Sequence, residues 1–205
     1  MKLTIITHVS VDGVMQGLGG PHEDRRDGFE RGGWALPMVS GEIEALICQI
    51  YDRADAFLFG RRTYEIFAAS WGTGEWGSDG GDNAISAALN TRPKYVASTT
   101  LPEASWRDTT VLPASLDRAI ADLKAGPDGE LQVHGSGELT RWLLERGLVD
   151  EMVLLTYPLV VGQGTRLFPL DGPDVALELV EHQALSGGVT SQVYRPAGRP
   201  VYATG

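Results

Sequence analysis

Leu131-Gln132-Val133-His134-Gly135-Ser136-Gly137-Glu138-Leu139 is the stretch that decides the fold. Leu131 to His134 reads as a strand, Gly135-Ser136-Gly137 breaks it, and Leu139, Trp142 and Leu143 recur at helical spacing. A buried strand that turns sharply into a helix is the repeating unit of α/β proteins. The same pattern occurs upstream. Ala56-Phe57-Leu58-Phe59 is short and wholly apolar, as a strand covered on both faces is. Gly60-Arg61-Arg62-Thr63-Tyr64-Glu65 then opens a helix behind it.

Working outward, Leu3, Ile5, Ile6 and Val9 place a first strand over residues 3 to 9. Val39, Ile43, Leu46, Ile47 and Ile50 predict a helix over 38 to 52. Lys94 to Ser98 is a further strand, and Leu116, Ala119, Ile120 and Leu123 mark a helix that Gly126-Pro127 ends. Met152 to Tyr157 is another buried strand. Two late strands, near Val175 to Ala184 and Val189 to Arg195, flank the hairpin signal Ser186-Gly187-Gly188. The expected fold class is therefore α/β: a mostly parallel central sheet between helical layers, with an antiparallel C-terminal hairpin. Two Gly- and Asp-rich stretches, Asp12 to Gly33 and residues 72 to 83, read as loops. A loop as long as the first is a lid, a binding loop or a mobile segment. No repeat or linker divides the chain, so residues 1–205 are read as a single domain.

Composition narrows the partners. The net charge of -10 repels phosphate backbones and anionic membranes, so neither nucleic acid nor membrane is expected. No segment approaches the roughly 20 apolar residues of a membrane helix, and the N-terminal apolar run is too short for an export signal. A cytoplasmic location is the expectation. Cys48 is the only cysteine, and His8, His22, His134 and His182 show no metal-ligand spacing beside it. No metal is expected.

The chemistry sits in the turns. Glycine lets the backbone bend at Gly60, and the helix N-terminus behind it offers free N–H groups to a phosphate. Arg61 and Arg62 add forked, permanently charged donors. The plainer reading is a tight turn with two solvated arginines. Gly135-Ser136-Gly137 starts like a dinucleotide-binding fingerprint, but Thr140 stands where the third glycine belongs, so a packing turn is its plainer reading. Both turns lie at carboxyl ends of strands, where ligands of open α/β sheets collect. Ser98-Thr99-Thr100 ends the Lys94 strand with hydroxyls and amides suited to a phosphate ester, or with a simple turn.

Four motifs occur in a telling order: Val9-Ser10-Val11-Asp12-Gly13, Phe59-Gly60-Arg61-Arg62-Thr63-Tyr64-Glu65, Val133-His134-Gly135-Ser136-Gly137, and Pro158-Leu159-Val160-Val161-Gly162-Gln163-Gly164-Thr165-Arg166-Leu167-Phe168. With them the chain resembles the dihydrofolate-reductase-like superfamily. More narrowly, it resembles the C-terminal reductase domain of the riboflavin-biosynthesis bifunctional deaminase-reductase and its stand-alone relatives. The resemblance implies the three-layer dihydrofolate-reductase-like fold, a homodimer, and NADPH as hydride donor. It implies a small heterocyclic substrate similar to 5-amino-6-(5-phosphoribosylamino)uracil; the alternatives are another substrate such as dihydrofolate, or a non-catalytic nucleotide-binding relative. Carried over residue by residue, Gly60, Arg61, Arg62 and Thr63 meet the cofactor phosphates. Ser98 and Thr99 lie near the 2′-phosphate, and Gly135, Ser136, Gly137, Glu138 and Leu139 pass the pyrophosphate. Ser10, Asp12 and Gly13 line the substrate side.

Asp12 is the first candidate for the catalytic role, binding substrate or relaying a proton; its other reading is a turn residue. Trp34, at the far end of the long loop, packs over a flat substrate or anchors the loop. Tyr157, ending a buried strand, donates a hydrogen bond to substrate or belongs to the core. The chain departs from true dihydrofolate reductases in that their first-helix carboxylate has no certain counterpart: Glu42 and Glu44 are the candidates, and both could face solvent. The zinc-bearing deaminase half is absent from this sequence.

Overall fold

Apolar runs with no polar face of their own need cover on both sides, and the computed structural model, which describes residues 1–72 and 84–203, assembles them into one eight-stranded sheet. In chain order the elements are β1 (Lys2–Ser10), α1 (Gly41–Asp52), β2 (Ala56–Gly60), α2 (Arg61–Phe67), α3 (Ala84–Thr91), β3 (Lys94–Ala97), β4 (Thr109–Val111), α4 (Leu116–Lys124), β5 (Glu130–His134), α5 (Gly137–Glu145), β6 (Glu151–Tyr157), β7 (Leu177–Ala184) and β8 (Thr190–Pro196). The order across the sheet is β4-β3-β2-β5-β1-β6-β8-β7. From β4 to β6 all neighbours run parallel, while β8 and β7 complete the edge antiparallel. This is the dihydrofolate-reductase-like α/β arrangement that the sequence leads one to expect.

Alternation along the strands divides the core between two faces. Leu3, Ile5, Leu58, Val133 and Met152 pack with Ile120 of α4 and Leu139 and Leu143 of α5. On the opposite face Ile6, Val153, Leu155 and Tyr157 meet Ile43 and Ile50 of α1, and Phe57 and Phe59 meet Tyr51 of α1 and Leu89 of α3. In the register of the central strands, Ile6 stands opposite both His134 and Val153.

Some boundaries differ from the sequence expectation. The helix expected from residue 38 starts at Gly41; Leu36–Met38 forms a separate 3-10 turn, and Val39 is extended. β4 has three residues and lies at the sheet edge, too short for alternation to register. α3, Ala84–Thr91, buries only Ala88 and Leu89, so it left no strong apolar stripe. Of the expected second loop, Gly72 closes a π-helical turn over Ala68–Gly72, and the rest lies outside the described residues. The hairpin forms as expected, with Gly187 and Gly188 at positive φ. Among the described residues no helix is long and apolar enough to cross a membrane.

The long loop after β1 is tied at both ends. Its start zips against the segment after β6 through Val11 N–H to Leu159 O (3.0 Å), Met15 N–H to Thr165 O (2.9 Å) and Leu167 N–H to Gly13 O (2.9 Å). Its far part returns to its beginning. Gly33 N–H bonds Gly17 O at 2.7 Å, and the Trp34 indole bonds Gln16 O at 2.8 Å. Phe29 and Trp34 are buried, so the loop has an apolar anchor of its own.

Candidate functional site

Because β3, β2, β5, β1 and β6 are parallel, their carboxyl ends share one edge of the sheet. A cleft of about 2340 Å³ opens there, lined by Ser98, Gly60, His134, His8 and Tyr157 at the strand ends. That exceeds the roughly 300–1,000 Å³ of a site for one drug-sized ligand.

Two strand-to-helix turns form one wall, and they are bonded to each other. Gly60 N–H donates to Ser136 Oγ at 2.9 Å, and Ser136 N–H donates to Thr63 Oγ1 at 3.1 Å. Ser136 sits in the left-handed region at φ 51, costly for a residue with a side chain and a strain often kept at functional sites. It caps α5 while bracing the start of α2. Arg61 joins a third turn: its guanidinium bonds Glu65 and the Thr100 hydroxyl, both at 2.7 Å, beside Ser98 and Thr99. Arg62 has no hydrogen-bond or ion-pair partner among the described residues. Gly60, Arg61, Arg62, Thr63, Ser98, Thr99, Gly135, Ser136, Gly137, Glu138 and Leu139 all line this cleft.

These residues suit a dinucleotide. A Cβ on Gly137 would come within 2.9 Å of the Met15 sulfur, so the bare glycine is what lets the Met15 side chain pack against this turn. Thr7 lines the floor, and its buried hydroxyl has no partner among the described residues. The α5 N-terminus and Arg62, without a partner among the described residues, are donors of the kind that suits phosphate oxygens.

On the α1 face, sequence reading missed most of the floor. His8 Nδ1 lies 3.0 Å from the Tyr157 hydroxyl, with the rings stacked at 5.8 Å. Burial lowers His8 to a pKa of about 4 and raises Tyr157 to about 12, so both are neutral near pH 7. His134 stacks on Tyr51 at 4.3 Å and donates to Gln132 Oε1 at 2.9 Å; burial, with His8 nearby, lowers it to about 3. The signal was present in β1, where His8 shares the face of Ile6 at the strand's end.

Four residues named for the substrate side do not line the cleft: Ser10, Asp12, Gly13 and Trp34. Asp12 is a clamp. Its carboxylate accepts from Ser10 Oγ (2.7 Å), Val161 N–H (2.9 Å), Gly162 N–H (2.9 Å) and Arg166 (3.2 Å). Partial burial works to raise its pKa, but these donors outweigh that and hold it well below the usual carboxylate range. Gly13 completes the turn at φ 78, its N–H bonding Ser10 O at 2.8 Å. Trp34 anchors the loop, edge-on to Tyr157 at 5.5 Å. Of the helix carboxylates, Glu42 binds the Ser186 amide at 2.8 Å and faces away from the cleft, whereas Glu44 lines it.

Comparison with known proteins agrees with this architecture. Residues 1–191 match the RibD C-terminal domain family. Bacillus subtilis YyaP, an uncharacterised protein, is 26% identical over 143 residues, covering 70% of this chain and 74% of that one. A candidate riboflavin-biosynthesis protein from Shewanella superposes with a TM-score of 0.71 at 21% identity, covering 96% of this chain and 99% of the other. A pyrimidine reductase-like protein from Corynebacterium diphtheriae gives 0.61 at 16% identity, covering 95% and 91%. By its match over nearly its whole length, the chain belongs to the RibD C-terminal domain family.

Proposed function

We propose that this protein is an NADPH-dependent reductase of a small heterocyclic substrate, of the riboflavin-pathway type. The observation that carries this reading is the pair of cross-bonded turns, Gly60 to Thr63 and Gly135 to Leu139, forming one wall of a cleft at the carboxyl ends of the parallel strands. The family membership supports it. When bound, NADPH supplies the hydride. The residues that would hold it are Gly60, Arg61, Arg62, Thr63, Ser98, Thr99 and Gly135 to Leu139. A fluorescence titration tests the reading directly: saturable binding is expected, and no binding at millimolar NADPH sinks it.

The acceptor also needs a proton, and the cleft floor offers a route. Tyr157 lines the cleft and is bonded to His8, a neutral donor-acceptor pair. In this reading Tyr157 gives its proton to the reduced acceptor and is reprotonated through His8 from solvent. Asp12, ionised and saturated with donors, instead positions the segment that carries Thr165 to the cleft. Tyr157→Phe is expected to lower kcat by about 10²-fold while sparing NADPH affinity, the usual size of a lost general acid. Unchanged turnover in stopped-flow assays would remove Tyr157 from the route.

A homodimer belongs to the same proposal. β7 is exposed along its whole length, with Leu177, Leu179 and Val180 on an unpaired sheet edge, and such edges invite pairing. Sedimentation velocity separates dimer from monomer.

A further inference from the structure

A row of polar side chains under the cleft fixes how one of its rings can be used. Side chains two apart on a strand share a face, so Glu130, Gln132 and His134 stand together on one side of β5. They are hydrogen-bonded in series. Gln132 Nε2 donates to the Ile50 carbonyl of α1 at 2.6 Å and to Glu130 Oε1 at 3.0 Å. Both partners are acceptors, and the Glu130 carboxylate faces Arg53 at 3.5 Å. The Gln132 amide is thereby oriented with its oxygen toward His134, where Oε1 lies 2.9 Å from Nε2. An amide oxygen only accepts, so Nε2 carries the proton. Burial, with His8 nearby, keeps the ring neutral near pH 7, and Nδ1 is left with a lone pair.

That lone pair is unused. Nδ1 has no hydrogen-bond partner among the described residues, and it is not sealed in the core either. The fully buried side-chain nitrogens and oxygens without a partner among the described residues are Thr4 Oγ1, Thr7 Oγ1 and Ser40 Oγ, and Nδ1 does not belong with them. His134 is 4% exposed and lines the cleft, so what surface it keeps opens there. The ring is held still. It stacks on Tyr51 of α1 at 4.3 Å, with Phe57 at 5.8 Å and Phe67 at 6.3 Å around it. An acceptor so fixed, in apolar surroundings, costs free energy until a donor meets it. The same floor carries the His8–Tyr157 pair, over which the hydride acceptor lies in the reading above.

Resting on that reductase reading, we infer that His134 Nδ1 accepts a hydrogen bond from the molecule being reduced, which therefore presents an N–H or O–H donor to the floor. His134 is a specificity residue: an analogue with a methyl group or another acceptor at that point leaves the lone pair bare, and a site built around a hydrogen bond rejects such an analogue strongly.

The test uses the full chain saturated with NADP+ and two probes that share one ring: uracil, whose donors are its ring N–H groups, and 1,3-dimethyluracil, which has none. In calorimetric titrations wild type is expected to bind uracil at least about tenfold more tightly, the scale of one lost hydrogen bond. His134→Gln keeps a donor for Gln132 but takes the acceptor out of the Nδ1 position, and it is expected to cut that ratio to about threefold or less. His134→Asn puts an amide oxygen where Nδ1 stood and is expected to keep most of the ratio. The bulk of the methyl groups acts alike in all three proteins, so the change in ratio isolates the hydrogen bond. Equal binding of the two probes by wild type overturns the inference, as does no uracil binding, or a ratio that both variants keep or both lose. A variant whose melting curve shows that it has not folded leaves the wild-type ratio to decide. The preceding NADP+ titration keeps the two readings apart: failure to saturate defeats the reductase proposal itself, whereas saturation followed by equal probe binding defeats only this inference.

Discussion

Asp12→Ala is expected to lower the thermal midpoint by roughly 6–12 °C. The substitution strips the acceptor from the Ser10 hydroxyl, the Val161 and Gly162 amides and the Arg166 guanidinium at once. Hydrogen bonds to a charged group contribute about 1.5–3 kcal/mol each, and donors left unpaired add to the loss. These bonds share one carboxylate and are partly solvated, so a total of about 3 kcal/mol is reasonable for the set, and each kcal/mol shifts a chain of this size by about 2–4 °C. Calorimetric melting measures it. Asp12→Asn keeps the shape but loses the charge and turns one oxygen into a donor facing donors. It is expected to lower turnover while sparing NADPH affinity, because the clamp reaches the cleft only through the segment that carries Thr165. A variant that melts and turns over like wild type would show that the clamp carries no weight.

The second large effect concerns cofactor choice. Arg61→Ala combined with Arg62→Ala is expected to weaken NADPH by roughly 10–100-fold, on the scale of one or two charge-assisted contacts, and NADH far less. The two arginines are not equivalent. Arg61 already spends its donors on Glu65 and Thr100, whereas Arg62 is unpaired among the described residues. Arg62→Ala alone should therefore cost more than Arg61→Ala. The larger loss for NADPH is expected because Arg61 reaches Thr100 beside Ser98 and Thr99, the residues read as lying near the 2′-phosphate; fluorescence titrations with both cofactors decide this, and an equal loss for NADPH and NADH would show that the arginines do not meet that group.

The parts of the fold legible in sequence are those where burial leaves a pattern. Ala56-Phe57-Leu58-Phe59 admits no exposed face, and Leu139, Trp142 and Leu143 admit one helical face. Thr109-Thr110-Val111 has neither, because an edge strand of that length is specified by its partner β3. The strand-to-helix turns at Gly60 and Gly135 were legible because glycine has narrow physical uses at a strand end. The floor was not. His8, Thr7 and His134 are ordinary polar residues until the register of β1 and β5 brings their strand ends together. Asp12 shows the opposite case. A Ser-x-Asp-Gly turn has the same letters whether its carboxylate faces a ligand or binds a chain segment about 150 residues away, and only the latter is seen here.

The loop between Gln16 and Trp34 has a consequence for how such an enzyme changes. Its two ends are bonded to each other, Gly33 to Gly17 and Trp34 to Gln16, and Phe29 seals it from inside. Its stem closes the loop, and Phe29 and Trp34 seat that stem on Ile6, Val153 and Tyr157 of the sheet. Residues 19–25, at its exposed tip, line the cleft while holding no strand in place. Sequence can drift there, lengthen or be swapped as a cassette without unfolding the protein. The scaffold thereby separates a part where a change is felt at once, the turns Gly60 to Thr63 and Gly135 to Leu139 that brace each other, from this exposed rim.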